Sequence, residues 1–394
     1  MKPLKDIVVL DLSRVLAGPY STMMLADFGA EIIKIEPPEV GDDSRAFGPF
    51  VGKESVYYMS LNRNKRSITM NFKEPEAIEL FKEMVKKADV VVENYRPGTM
   101  EKFGIGYDVL KEINPKLIYA ACSGFGHSGP YMDKPAYDIV VQAMGGIMSI
   151  TGPEGGEPCR VGASVGDIIA GIFTAYGVMT ALYYRAVSGV GQKVDVGMLD
   201  CQVAVLENAM ARYLSSGVVP KPAGTRHPSI TPFESYTAKD GYVIVGAGND
   251  RLWEKLCKLI EKPELVKDER FATNAKRTEN VRELKVILDE VFKVDTIKFW
   301  MDKLEEAGIP CAPINTVDKV IHDPQVNSRN MIVETQHPVA GPVKMAGVPV
   351  KLSETPGSVE TPAPLLGQHT EEILKELLGI DAAKVADLKA RKVL

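Results

Sequence analysis

Asp167 is the acidic residue whose sequence context best suits covalent chemistry. It heads a long apolar helix, directly after two glycine-bounded turns, in the segment VGDIIAG. One interpretation is structural, because Asp is a favoured N-cap residue. The other is catalytic, because the dipole and free amides of a helix N-terminus would keep a carboxylate ionised, as a nucleophile must be. Residue spacing alone does not choose between a cap and a nucleophile.

A glycine motif at residues 124–129, GFGHSG, has the spacing of a dinucleotide-binding fingerprint and follows a predicted strand. In such a fingerprint the loop opens a helix whose N-terminus cradles the pyrophosphate. Here Pro130 comes next instead. The motif therefore indicates a tight turn and not an NAD site.

A second motif, Gly162-Ala-Ser164-Val-Gly166, matches the nucleophile elbow of serine hydrolases. The segment before it contains Pro158 and is a poor strand, whereas an elbow joins a strand to a helix. A hydrolase also needs an acid and a histidine later in the chain. No local pattern selects one of the candidate histidines, which are His227, His322, His337 and His369. A serine hydrolase is therefore the weaker alternative.

Short β-branched runs alternate with helical stretches through the first half of the chain. The predicted strands are DIVVLDLS, EIIKIE, KRSITMNF, DVVVENY, KLIYAACS and QKVDV. The predicted helices cover residues 21–28 and PEAIELFKEMVKKA, begin near Tyr137 and at Asp167, and include one long helix over 198–217. This rhythm indicates βαβ units and a mostly parallel sheet. The expected fold class is α/β, with a Rossmann-like large domain.

The domain boundaries follow Pro/Gly-rich stretches. We predict a large domain made of residues 1–215 and 326–394, a small α+β domain over 230–310, and linkers at 216–229 and 311–325. The small domain opens with a hairpin whose turn is at Asp240-Gly241, and charged amphipathic helices follow.

Composition argues against several classes of function. The formal net charge is -5, with Lys and Arg spread along the chain, so nucleic acid is not an expected partner. The five cysteines have no CxxC pair, which indicates reduced thiols in a cytoplasmic protein and no metal site. The N-terminus lacks the shape of a signal peptide. The uncharged run 168–184 falls short of the roughly 20 residues that span a bilayer, so we expect a buried helix and no membrane association.

Several segments of the chain go beyond what composition explains. They are VLDLSRVLAGPYSTMMLADFGAEIIKIE, LNRNKRSI, VVENYRPG, SGFGHSGPY, VGDIIAG and GVGQKVDVGMLD. In these segments and in their order the chain resembles the family III CoA-transferases of the CaiB/BaiF type, from about residue 7 to the C-terminus. That group includes formyl-CoA transferase, the carnitine CoA-transferases and α-methylacyl-CoA racemase.

The resemblance implies a role for Asp167, which matches the family's catalytic aspartate. Its carboxylate would attack a donor thioester to form a mixed anhydride, and the CoA thiolate would return to give an aspartyl-CoA thioester. Gly246 and Gly248, in the segment GAGN, resemble the family's mobile glycine loop that covers this site. Glycine suits such a loop because the backbone must approach the substrate without a Cβ in the way. The alternative for GAGN is a plain strand-to-helix turn.

The resemblance also implies the residues that bind CoA, which enters as a substrate and not as a tightly bound cofactor. They are Val15, Leu16 and Ala17 after the first strand, Asn71 and Lys65 or Arg66 around NRNKRSI, and Asn94, Tyr95 and Arg96 in ENYRPG. Basic side chains would meet the phosphates, and apolar ones would line the adenine and pantetheine path. Pro37 stands where several relatives carry an arginine that contacts the nucleotide, so we expect that contact to be absent or replaced.

A racemase is the nearest alternative within the family, because that branch keeps the aspartate and adds a histidine for proton exchange. Tyr137, which we also count among the CoA-site residues, stands where that histidine would be. A phenol of pKa about 10 is a poor substitute for an imidazole near neutral pH. CoA transfer is therefore favoured over racemisation.

Two further expectations come from the resemblance. The stretch around GTRHPSI is similar to succinyl-CoA-dependent dicarboxylate transferases, in which Arg226, His227 and Ser229 could receive a distal carboxylate; the alternative is an exposed linker. The family implies a homodimer of interlocked chains. A non-catalytic acyl-CoA-binding protein, in which Asp167 only caps a helix, is the alternative from a different class.

Overall fold

The computed structural model describes residues 2–394, which form two compact units. The first unit consists of residues 2–148, 160–215 and 324–394, and the second of 149–159 and 216–323. Residues 149–159, expected in the large domain, thus belong to the second unit. The two linkers predicted at 216–229 and 311–325 are likewise part of that unit up to residue 323.

The first unit holds most of the secondary structure. Its strands are β1 (Val8–Asp11), β2 (Glu31–Glu36), β3 (Phe50–Val51), β4 (Glu54–Ser55), β5 (Lys65–Thr69), β6 (Val90–Glu93), β7 (Ile118–Ser123) and β8 (Lys193–Gly197). Its helices up to residue 216 are α1 (Ala17–Asp27), α2 (Val56–Leu61), α3 (Pro75–Val85), α4 (Thr99–Lys102), α5 (Tyr107–Ile113), α6 (Asp138–Met144), α7 (Val165–Ser188), α8 (Met198–Val205) and α9 (Glu207–Ser216). Two short 3-10 helices lie at Asp43–Ala46 and Ile147–Ile150.

The second unit contains a small antiparallel sheet and a set of helices. The elements are β9 (Phe233–Ala238), β10 (Gly241–Gly246), α10 (Asp250–Leu259), a 3-10 helix at Pro263–Val266, α11 (Asn274–Glu279), α12 (Val281–Phe292), α13 (Ile297–Glu306), β11 (Cys311–Pro313) and α14 (Val317–Val320). The strand order is β11-β10-β9, and β9 and β10 form the hairpin predicted around Asp240-Gly241. The chain then returns to the first unit with α15 (Pro324–Ser328), β12 (Ile332–His337), β13 (Gly341–Ala346), α16 (Thr370–Leu378) and α17 (Ala382–Ala390).

The main sheet of the first unit has six strands in the order β5-β2-β1-β6-β7-β8, and every pair is parallel. This is the doubly wound arrangement, in which the strand order reverses between the first strand and its neighbour. The predicted α/β class with a parallel sheet is therefore confirmed. The reversal lies between β1 and β6, so the loops that leave these two strands diverge and open a crevice at the carboxyl edge of the sheet.

The inner strands β6 and β7 are buried on both faces of the sheet, and they are largely apolar for that reason. Val91 of β6 packs into one core with helix residues such as Phe81, while Val90 and Val92 point into the core on the opposite face. A parallel strand covered on both sides has no polar face, which explains an uninterrupted run such as VVV. The C-terminal helices add Ile373 and Leu388 to the first of these cores.

Two helices differ from their predicted bounds. The first begins at Ala17 and not near residue 21, with Pro19 in its first turn, where a helix tolerates proline because the N–H groups there need no intrahelical acceptor. The single helix predicted over 198–217 is two helices, because Glu207 adopts a left-handed backbone with φ of 44° between α8 and α9.

A cluster of buried charges joins the carboxyl end of β1, the middle of β2 and the amino end of β5. Asp11 and Lys65 are fully buried and pair at 3.1 Å between Oδ2 and Nζ. Lys34 is equally buried and pairs with Asp42 at 2.8 Å. Burial favours the neutral form of each group, but Lys65 and Lys34 hold the pKa of Asp11 below its ordinary value. Every charge in the cluster therefore has a partner, as a charge without water must.

Adjacent cations on β5 provide a test of this cluster. Lys65→Met should lower the free energy of unfolding by about 3–5 kcal/mol, because it leaves the carboxylate of Asp11 buried without its partner. Arg66→Met is the matched control: the Arg66 side chain is partly exposed and pairs with surface glutamates, so its loss should cost about 1 kcal/mol or less. Chemical denaturation of both variants measures the difference. Equal small losses would contradict the role given to the buried pair.

Candidate active site

A cleft of about 500 Å³ opens at the carboxyl edge of the main sheet, where the strand order reverses. Its walls are the loops after β1, β6 and β7, together with the start of α7. It brings together these predicted site residues: Val15, Leu16, Ala17, Asn94, Tyr95, Arg96, Tyr137 and Asp167. We call it the Asp167 cleft.

The loop after β1 is held in a strained shape. Val15 has φ of 65°, a left-handed conformation that a β-branched residue rarely adopts. Its N–H donates to Oδ1 of Asp42 at 3.0 Å. Asn94 accepts from the N–H of Arg14 and donates to its carbonyl, both at 2.8 Å. The buried cation Lys34 also donates to the carbonyl of Ser13 at 2.8 Å, so the charge cluster beneath the sheet edge fixes this wall of the cleft.

Asp167 lies in the first turn of α7 and does not cap it. The helix begins at Val165, its N-cap residue is Ser164, and the Ser164 side chain makes no capping hydrogen bond. The interpretation of Asp167 as the N-cap is therefore wrong. Among residues 2–394, none donates a hydrogen bond to its carboxylate or forms an ion pair with it. The other acid of the cleft, Asp43, pairs with Arg14 at 2.9 Å.

Two glycines allow the elements around Asp167 to approach closely. A Cβ on Gly171 would lie 2.7 Å from the carbonyl oxygen of Ala17, so α7 can cross α1 at this distance only without a side chain there. A Cβ on Gly166 would likewise meet Val141 and Asp138 of α6 at 2.7 and 2.9 Å. The start of α7 therefore sits between the first turn of α1 and the first turn of α6.

The environment of Asp167 raises its pKa to about 7, first through burial and second through the negative charge of Asp138. This is opposite to the sequence-based expectation that the helix N-terminus would keep the group ionised at low pH. Asp138 itself is well satisfied, because it accepts from the N–H of Gly166 and from the Gln142 side chain, both at 2.8 Å. A poorly solvated carboxylate without hydrogen-bond donors is a strong nucleophile once it is ionised.

Sequence reasoning missed two neighbours of Asp167. Asp138 directly follows Tyr137, but nothing in its local sequence distinguishes it from an ordinary acid in the first turn of a helix. The phenol of Tyr57 lies close enough to feel the charges of both acids, and burial together with Asp167 raises the pKa of Tyr57 to about 12. No motif points to Tyr57, since only the fold brings α2 to this cleft.

A second cleft of about 450 Å³ adjoins the first and shares Arg14, Tyr95 and Arg96 with it. It is lined on its other side by Asn71 and Lys73 at the end of β5. We call it the Asn71 cleft. Pro37 also lines this cleft. The resemblance had suggested that the residue at this position lies beside the nucleotide. Together the two clefts form a path whose cations are Arg14, Lys73, Arg96 and Lys134.

Lys65 and Arg66 do not line either cleft, so the expectation that one of them meets a substrate phosphate is not supported. Lys65 is fully buried, where its ammonium donates to Asp11, to Asn62 and to the carbonyl of Pro19. Arg66 points to the surface and pairs with Glu31 and Glu376. The family-like segment LNRNKRSI suggested that Lys65 or Arg66 binds CoA. Side chains alternate along a strand, however, so β5 turns Lys65 inward and Arg66 outward.

The two glycine motifs of the first unit are turns. Gly126 and Gly129 have φ of 77° and 87°, and no helix follows them before α6, so the segment 124–129 is the tight turn that the sequence indicated. No strand precedes Ser164, which removes the strand–turn–helix geometry of a nucleophile elbow.

The segment with Gly246 and Gly248 lies in the second unit between β10 and α10. The N–H of Ala247 donates to the carbonyl of Pro232 at 2.8 Å, and a Cβ on Gly248 would overlap the side chain of Ile230. Asn249 caps α10 by accepting from the N–H of Leu252 at 2.9 Å. This is the geometry of a strand-to-helix turn, and the role of the glycines as a cover for the site stays a prediction.

Known proteins resemble this chain over nearly all of its length. The model of CoA-transferase family III matches residues 4–370. A human succinyl-CoA:glutarate CoA-transferase is 42% identical over 389 residues, which cover 98% of this chain and 89% of that protein. An acetyl-CoA:oxalate CoA-transferase of Acetobacter aceti is 42% identical over 382 residues, or 96% and 97% of the two chains. The crystal structure of a CAIB/BAIF family protein from Brucella suis superimposes with a TM-score of 0.85 at 40% identity, covering 95% of this chain and 99% of that one.

The raised pKa of Asp167 can be measured directly. In protein labelled with carbon-13 at aspartate carboxyls, the signal that disappears in Asp167→Asn should titrate near pH 7, because the group is protonated below its raised pKa and ionised above it. Asp138→Asn removes a neighbouring negative charge and should lower that pKa. Asp43→Asn is the matched control and should leave it nearly unchanged, because Asp43 is already paired with Arg14. Titration near the ordinary value of about 4 would contradict the electrostatic picture.

Proposed function

The chain belongs to CoA-transferase family III and is a CoA-transferase, and from that premise we propose that it transfers CoA from an acyl-CoA donor to a carboxylic acid through covalent intermediates on Asp167. One observation carries this proposal. Asp167 is an acid of the cleft with no hydrogen-bond donor and no ion-pair partner among residues 2–394, and burial raises its pKa to about 7. An ionised carboxylate so placed is available for attack on a thioester.

The proposed reaction balances as two half-reactions. The Asp167 carboxylate attacks the thioester carbon of the donor, the carbon–sulfur bond breaks, and CoA leaves as thiolate while a mixed anhydride forms. The thiolate then attacks the Asp167 side-chain carbonyl, which releases the donor acid as a carboxylate and leaves an aspartyl-CoA thioester. The incoming acid reverses both steps and departs as its own CoA ester. No proton needs to be transferred, so a nearby histidine is not required.

Each step passes through an oxyanion that needs hydrogen-bond donors. Ala17, which lines the cleft, begins α1, and the first-turn N–H groups of a helix have no acceptor within the helix. We propose that these amides stabilise the oxyanion.

The two clefts suggest how CoA is held. The thioester end would lie against Asp167, and the nucleotide would extend into the Asn71 cleft. Arg14, Lys73 and Arg96 would meet the phosphates in place of the expected Lys65 or Arg66, since cations bind phosphate through charge-assisted hydrogen bonds. Asn94 would act indirectly, because its side chain is already engaged by the backbone of Arg14.

A short dicarboxylate is the proposed acid, because similar proteins are named as transferases of succinyl-CoA with glutarate. The sequence predicted that Arg226, in the second unit, could bind the distal carboxylate of such an acid. Arg226 lies 3.4 Å from Glu154, while His227 accepts the N–H of Ser229 on its Nδ1. An incoming carboxylate would compete with Glu154 for the Arg226 guanidinium.

A homodimer is the proposed assembly, and α7 supplies the supporting surface. One side of this helix is buried through small residues such as Ala170 and Thr174. The other side exposes a stripe of large apolar residues: Ile172, Phe173, Tyr176, Met179, Tyr183, Tyr184 and Val187. By length and composition α7 could also cross a membrane, but the core helix of a soluble protein can be equally long and apolar. An apolar face of this size marks an interaction surface.

The covalent intermediate is the sharpest test of the proposed reaction. Incubation with succinyl-CoA followed by hydroxylamine should convert Asp167 into a hydroxamate, because hydroxylamine attacks the aspartyl thioester and displaces CoA thiol. Trypsin cleaves after Arg160 and Arg185, so the mass change should appear in the peptide of residues 161–185 and nowhere else. Asp167→Ala should abolish both labelling and transfer, and Ser164→Ala should retain both. Labelling at Asp138 or Asp200, or a dead but folded Ser164→Ala protein, would refute the assignment.

The dimer can be tested on the same helix. The wild-type protein should sediment at twice the mass of the chain. A Tyr176→Glu/Tyr183→Glu variant should sediment as a monomer, because it places two charges in the apolar stripe. Val109→Glu, at an exposed apolar residue of α5 outside that stripe, is the matched control and should remain dimeric. A wild-type monomer, or a double variant that stays dimeric, would argue against this interface.

A further inference from the structure

Glu93 is a buried carboxyl group that the proposed chemistry does not use. It ends β6 and is 1% exposed. Its Oε2 accepts the N–H of Tyr95 at 2.7 Å, and its Oε1 accepts the hydroxyl of Tyr119 at 3.3 Å. Oε1 also faces Nε2 of His127 at 3.6 Å. One carboxyl group thus contacts the loop after β6, the strand β7 and the loop after β7.

The hydrogen bonds of His127 determine which of its ring nitrogens carries the proton. The Lys193 ammonium lies 2.9 Å from Nδ1, and because an ammonium can only donate, Nδ1 is the acceptor. Burial and the charge of Lys193 lower the pKa of His127, which favours the neutral ring. A neutral ring with an accepting Nδ1 carries its proton on Nε2, the buried atom that faces Glu93. The backbone N–H of His127 is held by Asp195 at 3.0 Å.

The two loops that meet Glu93 are opposite walls of the Asp167 cleft. Residues 94–97 form one wall, and residues 123–124 and 132–137 belong to the other. We propose that Glu93 is a positioning residue: its carboxylate, bound to Tyr95 on one side and facing His127 on the other, holds both walls and thereby sets the affinity of the cleft for CoA. This rests on the proposed function in one respect, namely that the ligand of the cleft is CoA or its thioester.

The number of hydrogen-bond donors around Glu93 makes this role depend on its charge. An ionised carboxylate accepts from Tyr95 and Tyr119 and attracts the Nε2–H of His127, which faces it at 3.6 Å, whereas a protonated carboxyl group must place its own proton among the same donors and loses one of these contacts. The other charged groups that face the site are Glu101 on α4 and Lys193 and Asp195 on β8. Burial raises the pKa of Glu93 to about 7, so both forms are populated near neutral pH.

The proposal can be tested by measuring the binding of free CoA to the full-length Asp167→Asn protein by calorimetry across neutral pH. This variant neither turns over substrate nor titrates at residue 167. Affinity should fall about tenfold as the pH is lowered through 7, the size expected from losing one buried hydrogen bond. Glu93→Gln, which resembles the protonated acid, should bind about tenfold more weakly at high pH and show a flatter profile. Glu101→Gln removes a nearby charge that holds neither loop. It should keep the affinity of the parent at high pH and move the fall in affinity to lower pH, because the charge of Glu101 helps to raise the pKa of Glu93.

The remaining outcomes are also decisive. His127→Phe, which removes the N–H that faces Glu93 at similar volume, should weaken binding in the same direction and provides the test if Glu93→Gln does not fold. Unchanged affinity and pH profile in either folded variant would overturn the positioning role, as would a fall in thermal stability alone. Failure of the proposed function would look different, because the parent and Glu101→Gln would then not bind CoA at all.

Discussion

The active-site edge of this protein depends on the pairing of charges that have no access to water. Asp11, Lys34, Asp42 and Lys65 are each buried, and a buried ion without a partner would cost several kcal/mol. Their mutual pairing fixes β1, β2 and β5 relative to one another. It also supplies the acceptor that holds Val15 in its left-handed conformation. A hydrophobic cluster could fill the same volume, but it could not direct hydrogen bonds to the loop that shapes the cleft.

The reactivity proposed for Asp167 follows from the opposite arrangement. The structure pairs nearly every other acid in this region, yet it leaves this carboxylate without a donor and places it beside the negative charge of Asp138. Both effects destabilise the anion, which raises the pKa and makes the ionised form a better nucleophile. The close packing allowed by Gly166 and Gly171 holds the reactive group against α1 and α6. Desolvation therefore acts at both sites with different results. The buried charge cluster has ion-pair partners that compensate for it, whereas Asp167 has none.

Glu93 stands between these two cases. It is as buried as Asp11, but its neighbours are neutral donors and not a directly paired cation. It consequently retains a raised pKa, unlike Asp11. The carboxyl edge of the sheet thus holds a permanently paired set of charges beneath the loop after β1 and a titratable group beneath the loops after β6 and β7. The two sets act on different walls of one cleft.

The sequence alone determined the α/β class, the parallel strands and the turn at residues 124–129, because these depend on local periodicity and turn chemistry. It also singled out Asp167 through a family-like motif, and the catalytic role of that residue stays a prediction. It could not determine that Ser164, and not Asp167, occupies the N-cap position of α7, since a helix start is uncertain by a few residues until its packing against α1 and α6 is known. It could not separate Lys65 from Arg66, because burial depends on which face of β5 is covered. Asp138 and Tyr57 lie in no motif, and the segment VVENYRPG did not indicate a role for Glu93 itself. Only the tertiary structure placed these three residues beside or beneath the cleft, because their properties arise from desolvation and from neighbours distant in the chain.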